Sequence, residues 1–229
     1  MIIPPWSHSA LTSVESCPNK HYEVKVLKHF VEESGEAAQW GTYVHKCIED
    51  AISFGAAMPE NTKIYTPQVW AAIGGDLKFV SAEAKLAINN RFLPVPWTDR
   101  WGGSISDILK VVGTEAWVVD WKLGKVKPSD QLKVNALMVF YNYPDVETVH
   151  TSFEWLAHGG ARCTCCKGYP THTRAKYIRD QVPELWNAIM PKLKLYVHCF
   201  KTDTWQCRPS GLCNGWCVVE SCQHWRPKK

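Results

Sequence analysis

The chain has 229 residues and a mass of 26.0 kDa, enough for one substantial domain or two small ones. With 45% hydrophobic and 21% charged residues it is neither disordered nor membrane-spanning, since no stretch approaches the roughly 18–20 consecutive apolar residues of a span. A net charge of +4 permits a nucleic-acid partner without requiring one. The opening residues, Met1-Ile2-Ile3-Pro4-Pro5-Trp6, lack a basic segment followed by an apolar run, so a soluble, cytoplasmic protein with no membrane partner is expected. Twelve tryptophans and ten cysteines are both well above ordinary usage. In a reducing compartment, cysteines at that density point to metal or catalysis rather than to disulfides.

Ser7 to Ser13 starts a helix expected to run on toward Val31, with Ser9 and Thr12 as caps and Gly35 as its interruption. Ala37 to Phe54 carries an apolar stripe of Trp40, Val44, Cys47, Ile48, Ala51 and Ile52, which predicts a second helix closed by Gly55. Pro67 to Gly75 reads as a short third helix. The period then changes. Phe79 to Ile88 alternates loosely, and Ser104 to Val112 and Ala116 to Trp121 read as strands joined by a turn at Gly113-Thr114. Pro128-Ser129-Asp130 starts a helix over Gln131 to Tyr141, followed by a strand over Val146 to Trp155 and a helix over Tyr177 to Phe200. From Thr204 onward there is no periodic element, but four of the ten cysteines lie there. No internal repeat or low-complexity tract is present. The order predicts one α/β domain over 1–229, with an N-terminal helical part over 1–60, a core over 78–156 and a cysteine-rich tail over 204–225.

Centring the turn between Gly113 and Thr114 sets Asp107 opposite Asp120 and Ile105 opposite Lys122. Side chains alternate along a strand, so Asp107, Asp120 and Lys122 then share one face. Two carboxylates on opposed β-carbons about 4.5–5.5 Å apart repel unless a cation sits between them. A divalent ion suits both, and Lys122 beside it could hold an attacking water or a phosphate. The plainer reading is a half-exposed hairpin whose acids point to solvent.

Asp107, then Asp120-Trp121-Lys122, then Gln131 at the head of a helix resembles the PD-(D/E)xK nuclease core in its RecB-like form. Gly41-Thr42-Tyr43-Val44-His45 resembles that family's upstream histidine motif. The resemblance implies a restriction-endonuclease-like α/β fold, with a central mixed β-sheet flanked by helices. It implies His45, Asp107 and Asp120 as ligands of Mg²⁺ or Mn²⁺, Lys122 as the catalytic lysine, and Gln131 as the first position of a Gln-x-x-x-Tyr motif. Asn135 stands where that motif has tyrosine. Glu83 is a candidate further acid, though a solvent-facing glutamate is the simpler account of it.

The tail spaces Cys207, Cys213, Cys217 and Cys222 unlike an ordinary zinc ribbon. With Cys17, it resembles the iron–sulfur staple of CRISPR-associated and AddB-type members of the same family. That resemblance implies a structural [4Fe–4S] cluster on Cys17, Cys213, Cys217 and Cys222, tying the chain ends together, with Cys207 in reserve. Arg162-Cys163-Thr164-Cys165-Cys166-Lys167 reads as a surface loop with free thiols. Beyond it Tyr169, His172, Arg174, Lys176 and Tyr177 interleave charge and aromatics as a single-strand groove would.

The whole resembles stand-alone phage and CRISPR-type exonucleases, with no Gly-x-x-x-x-Gly-Lys-[Ser/Thr] motif and so no ATP use. The implied activity is metal-dependent hydrolysis of DNA, single-stranded or at ends. Ring-shaped assemblies occur among such relatives, so a homo-oligomer is a further implication. Two other readings stay open: a non-cleaving nucleic-acid-binding adaptor that keeps the fold, and a zinc-bound interaction module built on the tail cysteines.

Overall fold

Alternating side chains along Val80–Ile88 (β1), Gly102–Val112 (β2) and Glu115–Lys122 (β3) build an antiparallel meander, turned between β2 and β3 at Gly113, whose φ of +56° suits glycine. The computed structural model describes residues 2–74, 77–156 and 172–227. Thr148–Trp155 (β4) adds parallel to β3, and His172–Ile178 (β5) adds antiparallel to β4. The result is a five-stranded mixed sheet of order β1-β2-β3-β4-β5. The chain divides into two compact units, Gly35–Trp186 and Met1–Ser34 with Asn187–Lys229.

In the sheet unit, Glu36–Phe54 (α3) and Thr66–Ile73 (α4) pack on one sheet face. Val44, Ile48, Ala51, Val69 and Ile73 form one core with Ile108, Val119 and Trp121. Gln131–Asn142 (α5) packs against β1, β2 and β4, and its residues from Val134 to Phe140 are all buried. An α/β sheet flanked by helices is thus observed as expected. Each fully buried side chain of Trp121 or Phe140 size contributes about 1.5–3 kcal/mol.

The first helix departs from expectation. Instead of one helix running toward Val31, His8–Ser16 (α1) stops, Pro18–His21 (α2) restarts, and Tyr22–Val26 winds on as a π-helical turn. The cause is Pro18: proline disfavours helical backbone at the residue before it, and Cys17 is extended at φ −162°, ψ 106°. Ser7, rather than Ser9 or Thr12, caps α1, its Oγ accepting the Ala10 N–H at 3.3 Å. Around these helices Trp6, Leu11, Val14, Tyr196 and Phe200 are buried, and Tyr22 stacks on Trp205 with ring centroids 4.7 Å apart. The tail returns to the N-terminal segment: the Asn19 N–H donates to Gln206 O at 3.3 Å and Arg208 Nη1 to Glu15 O at 2.7 Å.

The last helix also departs. It covers Val182–Thr202 (α6), and Tyr177 and Ile178 belong to β5. The alternation His172-Thr-Arg-Ala-Lys-Tyr-Ile is satisfied by pairing with β4, and helix waits for Pro183 in its first turn. Cys163, Cys165, Cys166, Lys167 and Tyr169 lie outside the described residues. Among the described residues no helix is long and apolar enough to cross a membrane.

Candidate metal centre

Pairing of Ile108 with Val119, Leu109 with Val118 and Lys110 with Trp117 gives the hairpin the register expected from its turn. Just past the Ile108–Val119 pair, Asp107 Oδ2 accepts the Trp121 N–H at 2.7 Å, so a carboxylate stands in for a backbone acceptor. On the other side, β1 pairs Ala82 with Ile108 and Ala84 with Ser106, which sets Glu83 opposite Asp107. Glu83 has φ +48°, a left-handed backbone that costs a non-glycine residue of order 1–3 kcal/mol. Such strain concentrates at functional sites, where the surrounding structure holds it in place.

His45, on α3, comes to this point from the opposite side of the sequence. Its Nδ1 lies 3.2 Å from Asp107 Oδ1, and ligand atoms of His45, Glu83 and Asp107 all lie within 4.8 Å of one another. One imidazole and two carboxylates at that separation suit a hard or borderline divalent ion. Burial disfavours charge on His45, but its hydrogen bond to Asp107 and the charges of Asp107 and Asp120 outweigh this and raise its pKa. Burial and the charges of Asp107 and Glu49 raise that of Glu83. Glu83 therefore belongs with the acids instead of facing solvent alone.

Asp120 is 3% exposed, and burial followed by the charge of Asp107 pushes its pKa up to about 6, against the opposing Lys122. Lys122 Nζ pairs closely with Asp120 Oδ2, donates to Gln131 Oε1 at 3.2 Å, and sits 5.0 Å above the Phe153 ring. Gln131 Nε2 in turn donates to Asp120 Oδ1 at 3.0 Å. The six side chains thus form two adjoining sets: His45, Glu83 and Asp107, and Asp120, Lys122 and Gln131. Asn135, one helical turn beyond Gln131, is 1% exposed, and neither of its amide atoms has a hydrogen-bond partner among the described residues. It takes no part in either set.

In the other unit, Cys207 Sγ lies 3.6 Å from Cys222 Sγ, while the Arg208 N–H points at Cys17 Sγ and the Ser210 N–H at Cys213 Sγ, each at 3.5 Å. Burial, then the contact with Cys222 and the charges of Cys222, Cys17 and Cys213, push the Cys207 thiol up to about 11. Cys207 and Cys222 are thus in contact, and the charges of Cys17 and Cys213 reach Cys207. Cys217 is fixed through its carbonyl, which accepts the Trp225 indole N–H at 2.9 Å. Spacing alone left Cys207 as the reserve; its contact with Cys222 depends on how the tail folds back.

No family model matches the chain, and no curated protein matches it.

Proposed function

We propose that this chain is a metal-dependent nuclease of the RecB-like PD-(D/E)xK kind, hydrolysing phosphodiester bonds in DNA, single-stranded or at ends. The observation that carries the reading is the meeting of His45, Glu83 and Asp107 within 4.8 Å, beside an Asp120–Lys122–Gln131 set. His45, Glu83 and Asp107 would hold Mg²⁺ or Mn²⁺, with Asp120 beside them. A bound ion of this type supplies an activated water and offsets charge on the leaving oxygen. Lys122 carries its ammonium to the scissile phosphate, and Gln131 keeps Lys122 and Asp120 oriented. Single-stranded DNA labelled separately at each end, incubated with Mn²⁺ or Mg²⁺, should be cut by the native chain and left whole by Asp120→Ala. If both proteins retain DNA without cutting it, the non-cleaving adaptor reading replaces this one.

A [4Fe–4S] cluster on Cys17, Cys207, Cys213 and Cys222 belongs to the same proposal. A Cys207 thiol kept protonated by burial and by its cysteine neighbours gives up its proton readily only beside a cationic centre, and cysteine sets of this kind hold zinc or iron–sulfur. The zinc reading has its own support: 3.6 Å between Cys207 and Cys222 is close to the edge of about 3.8 Å of a tetrahedron with Zn–S bonds of about 2.3 Å. Iron, sulfide and zinc analysis of anaerobically purified protein separates the two. Cys207→Ser should lose the bound metal, while Cys217→Ser should keep it. The reverse result returns Cys217 to the ligand set that the family's tail implies.

A further inference from the structure

Trp117 stands between two adjoining hollows on the sheet face that carries α3 and α4. One, of about 530 Å³, is lined by His150, Ser152, Arg174 and Lys176 with α4 at its side. The other, of about 320 Å³, is lined by Ile73, Ile108, Lys110 and Val112. Register explains the surface. Lys110 pairs with Trp117, Trp117 with His150 and His150 with Lys176, so one row across β2 to β5 reads cation, indole, imidazole, cation. The next row toward the acids continues through Val119, Ser152 and Arg174. At about 4.8 Å between strands the row spans about 14 Å, which matches about four nucleotides at a stacked rise of about 3.4 Å.

The chemistry of the row fits a nucleic-acid strand better than it fits a protein surface. The Trp117 and His150 rings lie flat on each other, with centroids 5.3 Å apart and planes 9° from parallel. That leaves an indole face toward the apolar hollow for a base. Arg174 and Lys176 are exposed on β5, the Arg174 side chain by 64%. Among the described residues of these strands, two carboxylates share this face, and both are engaged. Glu154 is 3% exposed, accepts from Gln68 Nε2 at 3.2 Å and lies 3.8 Å from Arg174; Glu115 lies 3.4 Å from His150.

We propose that this face is a binding site for single-stranded nucleic acid, with a base stacked on Trp117 and the backbone led over Arg174 and Lys176. Trp117 precedes Asp120 by three residues on β3 and so points to the opposite face from that carboxylate. The proposed site rests on a nucleic-acid partner for the chain and does not depend on hydrolysis.

Anisotropy of a fluorescent oligothymidine, read with the full chain carrying Asp120→Asn in EDTA, tests the proposal. Arg174→Glu with Lys176→Glu, both at exposed positions, should weaken binding at least about tenfold and reduce the log–log salt slope by about 1.4, for two lost phosphate contacts. Trp117→Leu should weaken binding about fivefold to hundredfold, the range for one stacked base. Circular dichroism of each variant reports whether it is folded. The proposal is overturned if the native surface binds no oligonucleotide, if the double variant binds as tightly as its parent, or if duplex or thymidine monophosphate competes as well as the single strand. Hydrolysis of bis(4-nitrophenyl) phosphate by chains with Asp120 intact reads the acids separately. Absent hydrolysis with intact strand binding would remove the nuclease reading and leave this site standing.

Discussion

Asp107 accepts the backbone N–H of Trp121 at 2.7 Å, and this single bond joins the candidate metal centre to the hairpin that positions it. One carboxylate oxygen closes the ladder where β2 and β3 part, and the other lies 3.2 Å from His45. Asp107→Asn keeps an acceptor for Trp121 but removes the charge. It should hold stability near that of the native chain while lowering Mn²⁺ affinity at least about tenfold, by calorimetric titration. Asp107→Ala should lose the same affinity and in addition about 1–3 kcal/mol of stability, because a backbone donor is left without a partner. Equal stabilities for the two variants would show that the Trp121 bond carries no structural weight.

Asp120 gives the centre a pH dependence with a definite sign. Burial and the charge of Asp107 raise its pKa from 3.8 to about 6, so below that pH a proton occupies the site an ion needs charged. Mn²⁺ affinity should fall with pH as His45, whose pKa is raised above 6.5, takes up its proton, and more steeply below about 6, where Asp120 is protonated as well. The metal-free chain should respond in the opposite direction. The folded state binds this proton more tightly than the unfolded one, so the Asp120 contribution to stability is present at low pH and lost as pH rises through about 6. An affinity that stays constant from pH 7 to pH 5 would place Asp120 outside the binding equilibrium.

The hairpin was legible because register follows from a turn, and Gly113-Thr114 marks that turn without ambiguity. Asp107, Asp120 and Lys122 followed from it, and Gln131 from the strong helix start before it. Glu83 was legible only as one of two readings, because its place among the acids goes with a left-handed backbone at φ +48° inside a strand, which no alternation pattern encodes. Strand β5 was hidden for another reason. His172 to Ile178 has the period of a strand, but its charge and aromatic content resemble a solvated loop until β4 is known to have a free edge. The contact of Cys207 with Cys222 was not legible, because spacing in sequence says little about sulfur positions in a tail without periodic structure.

Two glycines should respond oppositely to alanine. A β-carbon on Gly103 would meet the Leu86 carbonyl oxygen at 2.8 Å and the Trp97 ring at 2.8 Å, in the strand pair that carries Glu83 and Asp107. Gly103→Ala should cost about 1–3 kcal/mol in urea unfolding. A β-carbon on Gly41, inside α3, meets nothing within 4 Å among the described residues. Gly41→Ala should gain about 0.5–1 kcal/mol from the lower entropy of the unfolded chain. A neutral Gly103→Ala would mean that β1 gives way at Leu86 without disturbing the sheet.

His21 supplies a second pH response, in the unit that holds the cysteines. Its ring is 5% exposed, lies against Tyr196, Phe200 and Trp205, and has Nδ1 3.0 Å from Ser13 Oγ. Burial, with a smaller contribution from the charge of Lys25, lowers its pKa from 6.5 to about 4. As pH falls below 6.5 the unfolded chain takes up this proton before the folded one does. Stability present above pH 6.5 is therefore lost on the way down to about 4, by up to about 3 kcal/mol at about 1.4 kcal/mol per pH unit. His21→Phe keeps an aromatic ring in the nest and removes the titration. Any acid lability of the cysteine site is common to both proteins, so the informative quantity is the difference in their unfolding free energies at pH 7.5 and pH 5. The native chain should lose about 2 kcal/mol relative to His21→Phe between those values. A difference that does not change with pH would mean that His21 is protonated in the folded state as readily as in the unfolded one.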